Sequence, residues 1–103
     1  MEFIESVAFS KVARSYLNDR ELSQLQTLLS VYPDKGMLIP GSGGLRKLRW
    51  MSEGKGKRGG LRIIYYWVTV KHRIHLLYLY HKNDQEDLSL KQFRQLRLLA
   101  EEQ

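Results

Sequence analysis

The feature that most restricts the fold is a pair of neighbouring segments, residues 61–70 and 74–80, rich in β-branched and aromatic side chains. This composition predicts two β-strands. Both segments are apolar at odd and even positions, so both faces of each strand should be covered by other elements. Because Lys71-His72 predicts a hairpin turn between them, we expect the two strands to lie side by side at the centre of a sheet.

Apolar residues at helical spacing predict three helices around this sheet. The first spans about residues 8–18 and the second residues 19–32. Asn18 and Glu21 have the spacing of a capping box at the start of the second helix. Ser89 opens the same pattern before a final, C-terminal helix.

Two further segments, residues 2–6 and 45–51, also have the character of strands. Consecutive strands joined by short turns favour antiparallel pairing. The predicted class is therefore α+β: an antiparallel β-sheet with two N-terminal helices packed on it and a C-terminal helix. No repeat or linker divides the chain, so we expect one domain over residues 1–103.

Composition excludes several classes of protein. The chain has no cysteine, which rules out a disulfide framework, thiol catalysis and cysteine-based zinc sites. No apolar stretch approaches the roughly 18 residues of a membrane-spanning helix. Glu2 and Glu5 stand where a secretory signal carries Lys or Arg, so we expect a cytoplasmic protein with no membrane partner.

The positive charge is concentrated in one short window of the chain. The whole chain has 17 Lys and Arg against 11 Asp and Glu, a net charge of +6. The window from Arg46 to Arg62 alone carries that excess, with seven cations opposed only by Glu53. Such a patch indicates a polyanionic partner rather than general solubility, although a solvated basic loop is the alternative.

Metal and carboxylate chemistry are poorly supported. His75 and His81 fall on one face of the predicted strand, but a separation of roughly 20 Å is too great for one metal ion. The acidic residues near Asp87 are interpreted as surface charge that flanks a helix. We therefore predict no metal site and no cofactor, which leaves cations acting on a phosphodiester.

Arg62 is the most informative of these cations, because its strand is otherwise apolar. Alternation places it on one face with Ile64 and Tyr66, where its guanidinium can offer two parallel hydrogen bonds to a phosphate. Pairing with an acid is the alternative. Lys47 and Arg49 should share one face of their strand, and Arg46 should point to the other.

The remaining candidates lie on a loop and at a strand end. Lys55, Lys57 and Arg58 belong to a glycine-rich segment suited to following a nucleic-acid backbone. Tyr80 stands at the end of its strand beside Lys82, and we expect its ring to be the most accessible of the sheet tyrosines. Accessible rings of this kind can stack on the bases of single-stranded RNA.

Three runs together carry a resemblance to a known family. They are Gly43-Gly-Leu-Arg-Lys-Leu-Arg-Trp, Gly54-Lys-Gly-Lys-Arg-Gly-Gly-Leu-Arg-Ile-Ile-Tyr-Tyr-Trp and Leu77-Tyr-Leu-Tyr-His-Lys-Asn-Asp. Their order and content resemble the RelE/HigB-like toxins of bacterial type II toxin–antitoxin systems, with the glycine–cation run typical of a HigB-like branch. The resemblance covers nearly the whole chain.

The resemblance implies a RelE-like fold and an mRNA interferase. Such a hydrolase is a metal-independent endoribonuclease that cuts mRNA in the ribosomal A site and inhibits translation. Arg62 matches the strand arginine that stabilises charge on the phosphorus centre, while Lys47, Lys57, Lys82 and Tyr80 are the other implied catalytic residues. The implied RNA-binding residues are Arg46, Arg49, Lys55 and Arg58.

The general base stays open among Lys57, Lys47, Tyr80 and His81, because Phe93 stands where some members have a tyrosine. The implied partners are a cognate antitoxin, the ribosome and mRNA, with DNA bound only through the antitoxin. The alternative function is a non-catalytic module that binds RNA or the ribosome. A DNA-binding regulator is disfavoured because the cations fall on strands and a loop rather than on a recognition helix.

Overall fold

The computed structural model describes residues 1–51 and 60–101. The predicted strands and helices all occur, with small shifts of their ends, and the structure adds one short strand at Met37–Leu38 that was not predicted. In chain order they are β1 (Glu2–Glu5), α1 (Val7–Tyr16), α2 (Asp19–Val31), β2 (Met37–Leu38), β3 (Arg46–Trp50), β4 (Leu61–Val68), β5 (Arg73–His81) and α3 (Leu90–Glu101).

The turn between β4 and β5 is longer than predicted. Strand β4 ends at Val68, and Thr69–Lys71 form a single 3-10 turn before the chain reverses. His72 completes the reversal with a left-handed backbone, φ 48°. The two strands nevertheless pair antiparallel, as the sequence predicts.

Within the part of the chain that the structure describes, the sheet has five strands in the order β1-β5-β4-β3-β2. Three of its four pairings are antiparallel, but β1 pairs parallel with β5, so the sheet is mixed and not wholly antiparallel. The reason is the position of α1 and α2 between β1 and the next strand. Because this connection is too long for a hairpin turn, β1 need not pair antiparallel with the strand that follows it in sequence. It pairs instead with β5, the last strand of the chain.

A register shift interrupts the pairing of β4 with β5. Ile64 lies opposite Tyr78 and Tyr65 lies opposite Leu76, which leaves one extra residue on β5. Such a bulge reverses the phase of alternation along the strand. His75 and His81 therefore lie on opposite faces of the sheet, and the prediction that they share a face is wrong.

Both faces of the central strands are covered, as predicted. On one face Phe9, Leu25 and Leu29 of α1 and α2 pack against Ile63 and Tyr65. On the other face the α3 side chains Phe93 and Ala100 pack with Leu45, Ile64, Leu77 and Tyr80. Even-numbered residues of β4 thus face α3, and odd-numbered residues face α1 and α2.

Both predicted capping boxes are confirmed. The Asn18 side chain accepts a hydrogen bond from the Glu21 amide at 2.7 Å, and the Glu21 carboxylate accepts one from the Asn18 amide at 3.3 Å. Ser89 and Gln92 make the same reciprocal pair at the start of α3, at 3.1 and 2.8 Å. Within residues 1–51 and 60–101, no helix is long and apolar enough to cross a membrane.

Candidate active site

The pairing of β3 with β4 gathers three of the predicted strand cations on one face. Arg49 lies directly opposite Arg62, and Lys47 lies directly opposite Ile64. Directly opposed residues have Cβ atoms about 5 Å apart on a shared face, and diagonal neighbours about 7–8 Å. Lys47 and Arg49 share a face, as the alternation predicts, and strand pairing places Arg62 with them on the face that also carries α3.

These cations line a cleft of about 290 Å³. Among the described residues, its lining consists of Lys35, Met37, Lys47, Leu48, Arg49 and Arg62. Four of these six side chains are basic and none is acidic. Arg62 is half-buried, and its Nη1 atom lies 3.5 Å from the Leu61 carbonyl oxygen. The guanidinium therefore borders an open cleft among other cations and is not sealed in the interior.

Lys35 belongs to this cleft although the sequence analysis did not select it. It lies in the turn between α2 and β2, outside the basic window. The pairing of Met37 with Lys47 brings that turn beside β3. No local pattern reveals this proximity, because it depends on the pairing of β2 with β3.

Asp87, in the segment before α3, is a second residue of the site that the sequence alone does not reveal. Its Oδ2 atom lies 2.6 Å from Lys47 Nζ, and its Oδ1 atom accepts a hydrogen bond from the Tyr80 hydroxyl at 2.5 Å. The Leu88 amide donates to Oδ1 at 2.9 Å. Partial burial favours a higher pKa for Asp87, but the Lys47 and Tyr80 hydrogen bonds outweigh it and hold that pKa below its usual range.

Tyr80 is buried, with 4% of its surface exposed, so the prediction that its ring is accessible is wrong. Strand position alone does not show that Phe93 of α3 packs in the same core. Burial, and then the hydrogen bond to Asp87, raise the pKa of Tyr80 far above its usual range. A phenol in this state is a poor acceptor for a proton at neutral pH, and here it anchors Asp87.

His81 lies away from the cleft, on the face of α1 and α2. It is buried, its Nδ1 atom accepts a hydrogen bond from the Asn83 amide at 3.1 Å, and its ring stacks on Tyr16. Lys82 is exposed just beyond β5, where its amide donates to the Gly60 carbonyl at 2.8 Å. The candidates Lys55, Lys57 and Arg58 lie outside the described residues.

Arg46 points to the face opposite the cleft, as alternation predicts. Its Nη1 atom donates to the carbonyl oxygens of Asp34 at 3.1 Å and Gly36 at 2.8 Å. The structure therefore does not bring Arg46 together with Lys47, Arg49 and Arg62. Among the residues with described positions, no group of three or more His, Asp or Glu side chains is placed to hold a metal ion.

Comparison with known proteins agrees with this architecture. The family described as "RelE toxin of RelE / RelB toxin-antitoxin system" matches residues 5–103. The chain belongs to the RelE toxin family. A solved structure of E. coli toxin RelE, a double arginine-to-alanine mutant in the free state, has a TM-score of 0.59 with it at 16% sequence identity. That alignment covers 94% of this chain and 96% of the E. coli chain and supports the same fold.

Family membership makes this chain the toxin of a toxin–antitoxin pair, so a cognate antitoxin is its partner. The match is to the RelE family in general, and assignment to the HigB-like branch stays a prediction. In this RelE-family toxin, the cationic cleft occupies the face of β3 and β4 beside α3.

Proposed function

We propose that this RelE-family toxin is a metal-independent endoribonuclease that cuts mRNA in the ribosomal A site, in the bacterial cytoplasm. The observation that carries the proposal is the direct opposition of Arg49 and Arg62 in a cleft that also contains Lys35 and Lys47. Like charges placed directly opposite each other destabilise a sheet. A polyanion bound in the cleft offsets that repulsion, so binding of RNA explains why these like charges lie together.

The reaction suited to such a cleft is attack by a ribose 2′-hydroxyl on the adjacent phosphorus. A bond forms between the 2′-oxygen and phosphorus, the bond to the 5′-oxygen breaks, and the products carry a 2′,3′-cyclic phosphate and a 5′-hydroxyl. The 2′-hydroxyl proton leaves to a base, and the 5′-oxygen gains a proton. Negative charge grows on the phosphoryl oxygens, and the Arg62 guanidinium is the group we assign to stabilise it.

Lys47 is assigned to hold a phosphoryl oxygen beside Arg62. Its ion pair with Asp87 fixes the position of the amine, and Asp87 is in turn anchored by Tyr80. An ammonium group donates hydrogen bonds but has no lone pair with which to take a proton. This pairing therefore favours an electrostatic role for Lys47 and leaves Lys57 as the remaining candidate for the base.

The other predicted residues are proposed as contacts with RNA outside the reacting bond. Arg49 shares the cleft with Arg62, and Lys82 is exposed at the end of β5. Lys55 and Arg58 would extend the same positive surface along the mRNA or ribosomal RNA. We assign these roles to one domain over residues 1–103.

Induction of the toxin without its antitoxin tests the proposal. Growth should stop, and new mRNA 5′ ends should appear inside translated codons. Arg62→Ala should lower the cleavage rate by about 10²–10³-fold, the effect of removing one group that stabilises developing charge. Arg14→Ala, at an exposed position at the end of α1, is the matched control and should cut like the wild type.

Two results would contradict parts of this proposal. A folded Arg62→Ala protein that cuts translated mRNA at the wild-type rate shows that Arg62 has another role. Growth arrest by the wild type without new 5′ ends favours the alternative, a non-catalytic module that binds RNA or the ribosome.

A further inference from the structure

Two side chains fasten the turn between α2 and β2 to the sheet. The Tyr65 hydroxyl donates to the Pro33 carbonyl oxygen at 2.7 Å and accepts from the Gly36 amide at 2.8 Å. Arg46 donates to the carbonyl oxygens of Asp34 and Gly36, as described above. Four hydrogen bonds thus hold a turn of four residues, 33–36.

The two fastening side chains act as a pair. Arg46 of β3 and Tyr65 of β4 are direct cross-strand partners, and both lie on the face opposite the cleft. Tyr65 is fully buried, and a Cβ atom built on Gly36 would lie 2.7 Å from its Cε1 atom. Close packing and hydrogen bonds therefore set the position of the turn from the far side of the sheet.

Lys35 is one of the two central residues of this turn. Hydrogen bonds from the sheet fix the backbone of both its neighbours, Asp34 and Gly36. The Lys35 side chain lines the cleft with Lys47, Arg49 and Arg62. The turn adjoins β2, which lies two strands from β4, a distance of roughly 10 Å at usual strand spacing. Lys35 and Arg62 thus lie at opposite sides of one cleft, at a separation that long side chains can bridge to one RNA strand.

The charges around the cleft give the RNA a preferred direction. The Asp87 carboxylate lies between Lys47 of β3 and Tyr80 of β5, where it offsets the charge of Lys47. Across the sheet from Arg62 towards β2, the described lining of the cleft is cationic, with Arg49 and then Lys35. An RNA strand whose reacting phosphate lies at Arg62 is therefore attracted towards the turn that carries Lys35.

We propose that Lys35 binds the RNA phosphate adjacent to the one that Arg62 holds, and that Tyr65 and Arg46 are positioning residues that act through Lys35. The proposal rests on the proposed endoribonuclease function and extends it to a second phosphate subsite. A contact made equally in the bound substrate and the transition state changes KM and leaves kcat unaltered. Lys35 should therefore affect RNA binding, and Arg62 the chemical step.

Cleavage of a defined mRNA on programmed ribosomes, followed under single-turnover conditions at several salt concentrations, separates the two effects. Lys35→Ala should raise the half-saturating toxin concentration by roughly fivefold, in line with one partly screened charge contact. The maximal rate should be unchanged, and the slope of log affinity against log salt should fall by about one. Lys71→Ala is the matched control, because Lys71 lies on the turn at the far end of β4.

Tyr65→Phe tests the positioning role, since it removes the hydroxyl and keeps the ring in the core. It should raise the half-saturating toxin concentration, as Lys35→Ala does, without lowering the maximal rate. In the double variant, the loss should be no greater than in Lys35→Ala alone, because both act through one contact. If Tyr65 has only a structural role, the losses of affinity in the two single variants should add in the double variant. That additive result would overturn the positioning role.

The failures of the two proposals look different. If Arg62→Ala is inactive while Lys35→Ala matches the wild type in half-saturation and salt slope, the Lys35 subsite is wrong and the endoribonuclease stands. If Lys35→Ala instead lowers the maximal rate with half-saturation unchanged, Lys35 is not a binding residue. If the wild type does not cut the mRNA, both proposals fall.

Discussion

Arg49 and Arg62 are direct cross-strand partners on the same face of the sheet. Two guanidinium groups in this arrangement repel each other, and the repulsion is stronger where water is partly excluded, as it is around half-buried Arg62. A pair selected for stability would combine opposite charges or apolar groups at these positions. The pairing thus places two like charges where stability alone would favour a different pair, as functional sites commonly do.

Arg49→Gln should stabilise the protein, because it removes one of two opposed charges. We expect the free energy of unfolding to rise by about 0.2–1 kcal/mol at low salt, and the gain to shrink as salt screens the repulsion. Urea unfolding at two salt concentrations measures both effects. Lys11→Gln, at an exposed position on α1, is the control and should change little. A loss of stability in Arg49→Gln at low salt would show that the pair is not repulsive.

Asp87→Asn should change the response of stability to acid. The folded state holds the pKa of Asp87 below its usual range, so the stabilisation is present above the unfolded value of about 4 and is lost as pH falls through the folded value. Since 52% of the Asp87 side chain is exposed, screening keeps the effect small at neutral pH. Unfolding midpoints measured from pH 7 down to pH 2 should therefore fall less steeply in the variant. Identical profiles for Asp87→Asn and the wild type would contradict the assignment.

Tyr80→Phe should destabilise the protein and flatten its response to alkali. The substitution removes the buried hydroxyl that donates to the Asp87 carboxylate, at a cost of about 1–3 kcal/mol. Because folding raises the pKa of Tyr80, its contribution is complete below the unfolded value of about 10 and disappears as pH rises above it. Unfolding followed from pH 8 to pH 11 tests this, with Tyr32→Phe at an exposed position as the control. If the stability of Tyr80→Phe falls as steeply with rising pH as that of the wild type, the titration belongs to other tyrosines.

Gly36→Ala should destabilise the turn between α2 and β2. The new Cβ atom would lie 2.7 Å from Tyr65 Cε1, in a core that cannot give way freely. A cost of about 1–3 kcal/mol is typical of such overpacking. Thermal unfolding measures it, and Ser30→Ala, at an exposed position in α2, provides a control of similar size. A melting temperature equal to that of the wild type would show that the turn can shift without loss.

Much of the fold follows from local rules of the chain. The apolar segments that become β4 and β5, the capping boxes at Asn18 and Ser89 and the shared face of Lys47 and Arg49 all depend on residues close in sequence. Propensity, capping and period-2 alternation act over a few residues, so a reader of the sequence can apply them directly. The α+β class follows from the order of these elements.

The errors and omissions arise where distant residues meet. The extra residue in β5 turns His81 to the face opposite His75, and the core beneath α3 buries Tyr80. Such outcomes depend on strand register and on packing between elements, which no local pattern contains.

The chain's own residue order thus accounts for its strands, its helices and the positive window that includes Arg62. The cleft required the folded protein: Asp87 meets Lys47 across 40 positions of sequence, and Lys35 arrives through the pairing of β2 with β3. Alternation dictates the face on which a side chain lies, because it is a property of one strand. The neighbours that the side chain meets there depend on every element packed around it.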